Sequence, residues 1–280
     1  MTASFPQPVI AEAVERLKAG GLVAFPTETV YGLGADAFSD SAVEGVFRLK
    51  GRPSRNPLIV HVADIAMARS AVSSWPPEAQ ILAERFWPGP LTIIVPKSPR
   101  IPERVTAGAT TVAVRCPDHS LTLALLKAFG GPLVGPSANP SGRVSPTAAD
   151  HVRAYFAPQQ VLVLDGGACR AGIESTVLSL ADPSFPVVLR PGVISAAQLA
   201  AVLDRPVASV EHQHPGEGPL AGPGMLPSHY APGTPARLVT SRELALALAA
   251  SSPRVAALAL SEPPTIAAGH LVIADRKSAC

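Results

Sequence analysis

The pattern of apolar and polar positions divides most of the chain into short helices and strands. Ile10, Val14 and Leu17 recur at helical spacing until Gly20-Gly21 break the run, and LVAF follows as a buried strand. Ser39 or Asp40 caps a second helix, which carries Val43, Val46 and Phe47 and stops at Gly51. Then come a strand in PLIVHV, an Asp64-capped helix, a helix around EAQILAERF and a strand in LTIIV. TTVAVR reads as a strand, LTLALLKAF as a helix closed by Gly130-Gly131, and PLVG as another strand. After the loop PSANPSGRVSP, Ser145 and Pro146 supply an N-cap and a first-turn proline for a helix reaching about Phe156. VLVLD, STVLSL and PVVLR are strands, and Ser195 caps a helix to about Leu203.

Helices and strands intermix without strict βαβ regularity. The fold class is therefore α/β, a twisted mixed sheet flanked by helices over residues 1–205. From Pro206 to Pro235 the periodicity fails and proline and glycine crowd in, as in HPGEGPLAGPGMLPSHYAPGTP, so 206–235 reads as a linker. In 236–280 an Ser241-capped helix and the apolar runs RVAALAL and LVIA begin a small α/β unit, too short for a self-sufficient core and hence partial.

Composition narrows the function classes. Charged residues make up 16% and the formal net charge is +2, so nothing draws the whole chain toward nucleic acid or an anionic membrane. Any polyanion has to be held by a local patch. Cys116, Cys169 and Cys280 lie far apart and form no CxxC pair, which suggests neither a disulfide framework nor a zinc site and fits a reducing, cytoplasmic setting. The N-terminus has no basic stretch leading into an apolar core, and no segment offers ~18 uninterrupted apolar residues, so no membrane partner is expected. The one Asn-Pro-Ser run, Asn139 to Ser141, carries the proline that blocks glycosylation.

One local patch stands out. RLKGRPSRNPLIVHV places Lys50, Arg52, Arg55 and His61 between a helix end and a strand. A cation in the last helical turn favours the helix dipole, but that accounts for one charge only; Arg52 and Arg55 after Gly51 repel each other unless an anion neutralises them. The loop GPSANPSGRVSPT adds Ser137, Asn139, Ser141 and Ser145, the last at an expected helix N-terminus, and Arg115 and Arg190 end two strands. Cations with helix-end donors imply a phosphate ligand. Two familiar nucleotide signatures do not explain it. Gly32 to Ala37 formally matches GxGxxA, but six residues (Pro26 to Tyr31) separate it from the preceding strand and the next helix starts only near Asp40; no GxxxxGK[ST] occurs. The polar residues Thr27, Glu28, Thr29 and Tyr31 follow a buried strand, where α/β proteins hold ligands.

PTETVYGLG, Lys50-x-Arg52, Ser137-x-Asn139, FWPGPLT, VRCPDH, GIESTVL and LRPG, in this order from about Pro8 to Leu203, together resemble the YrdC-like threonylcarbamoyl-AMP synthases. SHYAPGTP after the linker resembles the long form of that family, whose C-terminal domain is here truncated, and Ser120 stands where proline is the expected residue. The resemblance implies formation of L-threonylcarbamoyladenylate and pyrophosphate from L-threonine, bicarbonate and ATP. This is the first step of N6-threonylcarbamoyladenosine (t6A) modification of tRNA. It implies that Lys50, Arg52, Ser137 and Asn139 are catalytic, and that Lys50, Arg52, Asn56, Thr111, Ser137, Ser145, Arg190 and Tyr230 bind ATP. Thr29, His61, Arg115 and Ser175 line the threonine site, with Arg115 the partner of its carboxylate. Mg²⁺ accompanies ATP and is held mainly by phosphate oxygens and water, with Asn139 helping to orient it. The implied partners are the downstream t6A transferase machinery and a weak contact with tRNA. Three other classes compete: an RNA-binding module, which the near-neutral charge disfavours; a carbamoyl-transfer relative, whose zinc-binding and acylphosphatase-like regions this chain lacks; and a dehydrogenase, which would have to bind nicotinamide.

Overall fold

The computed structural model describes residues 7–210, Gly222, 256–259 and 271–274. They belong to two compact units, Met1–Ala231 and Pro232–Cys280. The first unit runs α1 (Gln7–Lys18), β1 (Leu22–Phe25), β2 (Gly32–Asp36), α2 (Asp40–Lys50), β3 (Ile59–His61), α3 (Ile65–Ala71), α4 (Pro77–Phe86), β4 (Leu91–Pro96), α5 (Glu103–Thr106) and β5 (Thr111–Arg115). It continues with α6 (Ser120–Phe129), β6 (Leu133–Val134), α7 (Ala149–Tyr155), β7 (Val161–Val163), β8 (Thr176–Ser179), β9 (Val187–Arg190), α8 (Ala196–Leu203) and β10 (Ala208–Ser209).

Ten strands form one sheet in the order β10-β9-β8-β4-β5-β3-β6-β2-β1-β7. Pairs β1·β7, β3·β5, β4·β8 and β9·β10 are parallel and the other neighbours antiparallel, a mixed sheet as the irregular element order implies. Strand alternation sorts the side chains onto two faces. On one, Val60, Ile93, Val95, Val112, Val114 and Leu178 pack with Val43 and Val46 of α2, Ala68 of α3, Leu82 of α4, Val152 of α7 and Leu199 of α8. Each fully buried aliphatic side chain of this kind contributes about 1.5–3 kcal/mol. On the other face, Val23, Phe25 and Leu133 are covered by Ile10, Val14 and Leu17 of α1 and Leu121, Leu125 and Leu126 of α6. Farther along it, Ile59, Ile94, Ala113 and Val177 make a separate small cluster joined by Leu189, with no helix residue in it among the described residues. Gly222 is buried there: a Cβ on it would stand 3.2 Å from Leu189 Cδ1 and 3.3 Å from Ile94 Cδ1.

Caps follow from single residues. Ser39 accepts the Ala42 N–H at the start of α2, Asp64 accepts Met67 N–H before α3, and Ser195 with Gln198 completes a capping box on α8. Gly51 ends α2 in the left-handed conformation, φ 59°.

One local expectation is corrected and one element is added. GLGAD, to which the sequence pattern assigned no element, is strand β2. Its glycines are demanded by packing, since a Cβ would lie 2.7 Å from the Phe25 ring at Gly32 and 2.9 Å at Gly34. The helix assigned to Ser145 starts only at Ala149, and Ser145 does not cap it. The preceding stretch is committed elsewhere: the Pro146 carbonyl accepts from Tyr31 N–H (2.9 Å) and the Thr147 carbonyl from Cys169 N–H (2.8 Å).

In the second unit β11 (Ala256–Ala259) and β12 (Leu271–Ala274) pair in parallel, within the runs RVAALAL and LVIA. The helix expected after Ser241 lies outside the described residues. Among the described residues no helix is long and apolar enough to cross a membrane.

Candidate active site

This second sheet face ends in polar groups. His61 and Arg115 close the parallel strands β3 and β5 and are register partners, and alternation puts them on the face of Ile59 and Ala113. By the same alternation Thr92 lies on the face of Ile94, and Ser175 Oγ shares a hydrogen bond of 2.7 Å with Thr92 Oγ1. Thr29 closes the group from the β1–β2 loop, which Thr27 organises: its Oγ1 accepts from the Thr29 and Val30 amides (both 3.1 Å) and contacts Thr29 Oγ1 at 2.8 Å. Thr29, His61, Arg115 and Ser175, the four expected threonine contacts, are thus brought together, all at most 2% exposed.

Arg115 already has an anionic partner here. Its Nη2 lies 2.7 Å from Glu28 Oε1 and its Nε donates to the Gly89 carbonyl at 3.3 Å, while Glu28 Oε2 accepts the Asp118 N–H at 3.0 Å. Glu28 was not picked out as a site residue. Its signal was only an acid between two threonines in a strand-end loop, and nothing local in sequence links it to Arg115. His61 is fully enclosed, edge-on to Phe25 at 5.3 Å, and its Nδ1 has no hydrogen-bond partner. Burial, then the charge of Arg115, pushes its pKa well below the ordinary histidine value, so the ring is neutral. Gly135 makes room for it, because a Cβ there would fall 2.5 Å from Nδ1.

Beside this pocket, Lys50 turns inward from the last residue of α2 and is 3% exposed. Its Nζ donates to the Ser137 carbonyl at 2.5 Å and to the Asn139 carbonyl, and the Ser141 N–H returns to the Lys50 carbonyl at 2.8 Å. The helix end and the Ser137–Asn139 loop are therefore tied together. An ammonium has three protons, so one is left for a ligand. Burial and the neighbouring Arg52 push Lys50 well below the ordinary lysine range, while Glu174 pulls it back. An incoming anion would relieve that penalty.

Arg52 donates to the Asn56 and Pro57 carbonyls at 3.0 and 2.8 Å, which shapes the turn before β3. Asn56 is fully buried, yet neither Oδ1 nor Nδ2 has a partner. Asn139 Nδ2 donates to the Pro140 and Arg143 carbonyls (3.0 and 2.7 Å), leaving its buried Oδ1 without one. Orphaned buried amides cost about 1–3 kcal/mol each, so a ligand is the economical reading of both. Ser145 Oγ donates to Glu174 Oε1 at 3.0 Å; Arg190 lies 3.9 Å from Glu174 Oε2 and donates to Ser175 O at 2.9 Å and Oγ at 3.0 Å. Glu174, also missed, is a carboxylate amid groups assigned to an anion.

Thr111 begins β5, about 13 Å from Arg115 at roughly 3.3 Å per residue, on the same face beyond Ala113; the parallel register of Ile59 with Ala113 puts it level with Pro57, on the side of Arg52 and Asn56. Arg55 is exposed, and Tyr230 lies outside the described residues.

Fold and site define the class: an α/β protein whose mixed sheet gathers a buried Arg115–Glu28 pair with His61 at its strand ends, near a buried Lys50 at the end of α2. The family model described as telomere recombination, covering Sua5, YciO and YrdC, matches residues 15–192, and that of the threonylcarbamoyl-AMP synthase C-terminal domain matches 194–278. The chain belongs to the Sua5/YciO/YrdC family. It is 48% identical over 229 residues to the threonylcarbamoyl-AMP synthase of Bacillus subtilis, covering 81% of this chain and 66% of that one. It is 44% identical over 216 residues to the Pyrococcus abyssi enzyme, covering 77% and 63%. The chain thus spans just under two-thirds of these relatives. The crystal structure of P. abyssi Sua5 complexed with L-threonine superposes with a TM-score of 0.85 at 37% identity, covering 95% of this chain and 79% of that one.

Proposed function

We propose that the protein is an L-threonylcarbamoyladenylate synthase that condenses L-threonine, bicarbonate and ATP, releases pyrophosphate, and supplies the adenylate for t6A formation on tRNA. The observation that carries the reading is the juxtaposition of two pockets of opposite demand. One holds Arg115, His61, Thr29 and Ser175; the other holds Lys50, Arg52 and the orphaned amides of Asn56 and Asn139. The names of the B. subtilis and P. abyssi relatives, and the threonine in the P. abyssi complex, support the same substrates.

In this reading Arg115, oriented by Glu28 and the Gly89 carbonyl, receives the threonine carboxylate. The threonine amine, having lost a proton, condenses with bicarbonate to a carbamate and water. A carbamate oxygen then attacks the α-phosphorus of ATP and pyrophosphate leaves. No side-chain nucleophile is required, so the protein's part is positioning and charge stabilisation. Lys50, Arg52 and Ser137 hold phosphate oxygens, with Ser145 and Arg190 on the nucleotide. Thr111, level with Pro57 in the β3–β5 register, would meet the nucleotide on the side of Arg52 and Asn56. Mg²⁺, bound with ATP, neutralises phosphate charge, and the unpartnered Asn139 Oδ1 is the acceptor that fits it. The return of Gly222 to the second sheet face supports a linker lid, with Tyr230 acting from it, that keeps water from the mixed anhydride. A weak tRNA contact, a downstream transferase partner and a cytoplasmic setting complete the proposal.

The test is mass spectrometry of products from threonine, bicarbonate and Mg-ATP, with pyrophosphate measured in parallel. Release should require both threonine and bicarbonate. ATP turnover unchanged when both are omitted would sink the synthase reading.

A further inference from the structure

The anion pocket presents its ligand with two groups of the wrong sign. Lys50, Arg52, Ser137 and Ser145 are donors, as phosphate requires. Asn139 cannot present its donor inward: both Nδ2 protons go to the Pro140 and Arg143 carbonyls, so its amide is fixed with the bare, buried Oδ1 as the free end. Glu174 adds a carboxylate, bound by Ser145 Oγ at 3.0 Å and only loosely approached by Arg190 at 3.9 Å. The two acceptors belong to one neighbourhood, since Asn139 Nδ2 bonds the Arg143 carbonyl and Ser145, two residues on, bonds Glu174. An amide oxygen and a carboxylate facing a triphosphate repel it unless a cation stands between them.

We propose that Asn139 Oδ1 and the Glu174 carboxylate are the oxygen ligands that the protein itself contributes to the divalent cation carried on the triphosphate. This rests on the nucleotide reading above. It extends the expectation that phosphate and water mainly hold the metal with help from Asn139, by adding Glu174 as a direct ligand. Magnesium commonly takes one or two protein oxygens and completes its octahedron with phosphate and water. Among the described residues no group of three or more His, Cys, Asp or Glu side chains converges, so the cation depends on the nucleotide for most of its ligands. Glu174 then has two tasks, fixing Ser145 and receiving the metal, and the second explains why a carboxylate stands in an anion site.

Charge sign separates this role from a merely structural one. Calorimetry with a non-hydrolysable ATP analogue is run on wild type and Glu174→Gln, in Mg²⁺ and in EDTA. The glutamine keeps an acceptor for Ser145. Metal ligation predicts that the variant binds the Mg²⁺ complex at least about tenfold more weakly and the metal-free analogue equally or more tightly, because a repelling charge is gone. If Glu174 only positions Ser145 and Arg190, both affinities fall by the same factor; that result, or no change in either, overturns the proposal. A wild type that binds the analogue without metal sensitivity overturns it while sparing the nucleotide reading, and a wild type that binds it under neither condition removes both. A second arm needs no variant: ¹⁷O-water broadening of the Mn²⁺ resonance should count about two fewer waters in the protein–ATP complex than in Mn²⁺-ATP alone. An unchanged count overturns the assignment.

Discussion

Replacing Glu28 by glutamine removes one charge from a pair whose side chains are only 3% and 6% exposed, without changing its shape. The amide oxygen still accepts the Asp118 N–H, so the loss is confined to charge compensation of Arg115. Breaking a buried ion pair from one side costs about 3–5 kcal/mol, because the remaining ion stays desolvated and unpaired, and the retained polar contact puts this case near 3. For a unit of this size about 2–4 °C of melting temperature accompany each kcal/mol, which gives a fall of roughly 6–12 °C in a circular-dichroism melt at pH 7. Threonine provides the second reading. Its carboxylate would replace the missing charge, so saturating threonine should raise the melting temperature of Glu28→Gln more than that of wild type. A variant that melts within about 2 °C of wild type, or that threonine stabilises no better, would show that Glu28 does not hold Arg115 for its ligand.

Arg52→Ala should leave the fold intact and reduce turnover by on the order of a hundredfold or more, the usual cost of one preorganised charge-stabilising donor; steady-state pyrophosphate release alongside a melt checks it. His61 has its folded pKa depressed below an unfolded value of about 6.5, so its contribution to stability is present above that pH and lost as pH falls below it, by about 1.4 kcal/mol per unit. Denaturant titrations from pH 7 to 5 should show a steeper loss in wild type than in His61→Phe, and equal slopes would refute the assignment. Gly135→Ala, whose Cβ would fall 2.5 Å from His61 Nδ1, should weaken threonine binding by at least about tenfold in calorimetry. Ending the chain after Pro235 should preserve most activity, whereas ending it near Pro206 should weaken ATP binding and release the intermediate; equal behaviour in both would rule out the lid.

The helix ends that frame the candidate site were legible because single residues write them. Gly51, Ser39, Asp64 and Ser195 act on the backbone within a turn of themselves, and they mark helix ends in sequence and structure alike. Strand alternation puts His61 on the face of Ile59 and Arg115 on that of Ala113, but that both share one face follows from the parallel β3–β5 register between segments far apart in the chain. What could not be read depends on partners far along the chain. Glu28 gains its meaning from Arg115, and Gly32 and Gly34 must be glycine because the Phe25 ring lies where a Cβ would stand. Ser145 and Pro146 have every local mark of a helix start, but Tyr31 takes the Pro146 carbonyl and the helix begins later. Local propensity yields there to a contact the sequence does not announce.

The two pockets handle charge differently, and the difference matches the ligands proposed for them. Arg115 is neutralised by Glu28, so the pocket around it carries no net charge beside a neutral His61. That suits a zwitterionic amino acid, which arrives with both signs and needs orientation more than attraction. Lys50 is held by neutral carbonyls, which satisfy its protons without cancelling its charge. Its burial is therefore costly in the free protein, as the downward push on its pKa records, and the cost is relieved when an anion arrives. The same backbone carbonyls fix the Ser137–Asn139 loop, so the donors beside Lys50 are in position before any phosphate binds. A carboxylate in their place would have stabilised the empty site and weakened its hold on phosphate. Glu174 stands at the edge of that arrangement, tied to Ser145, where it can favour a cation without quenching Lys50.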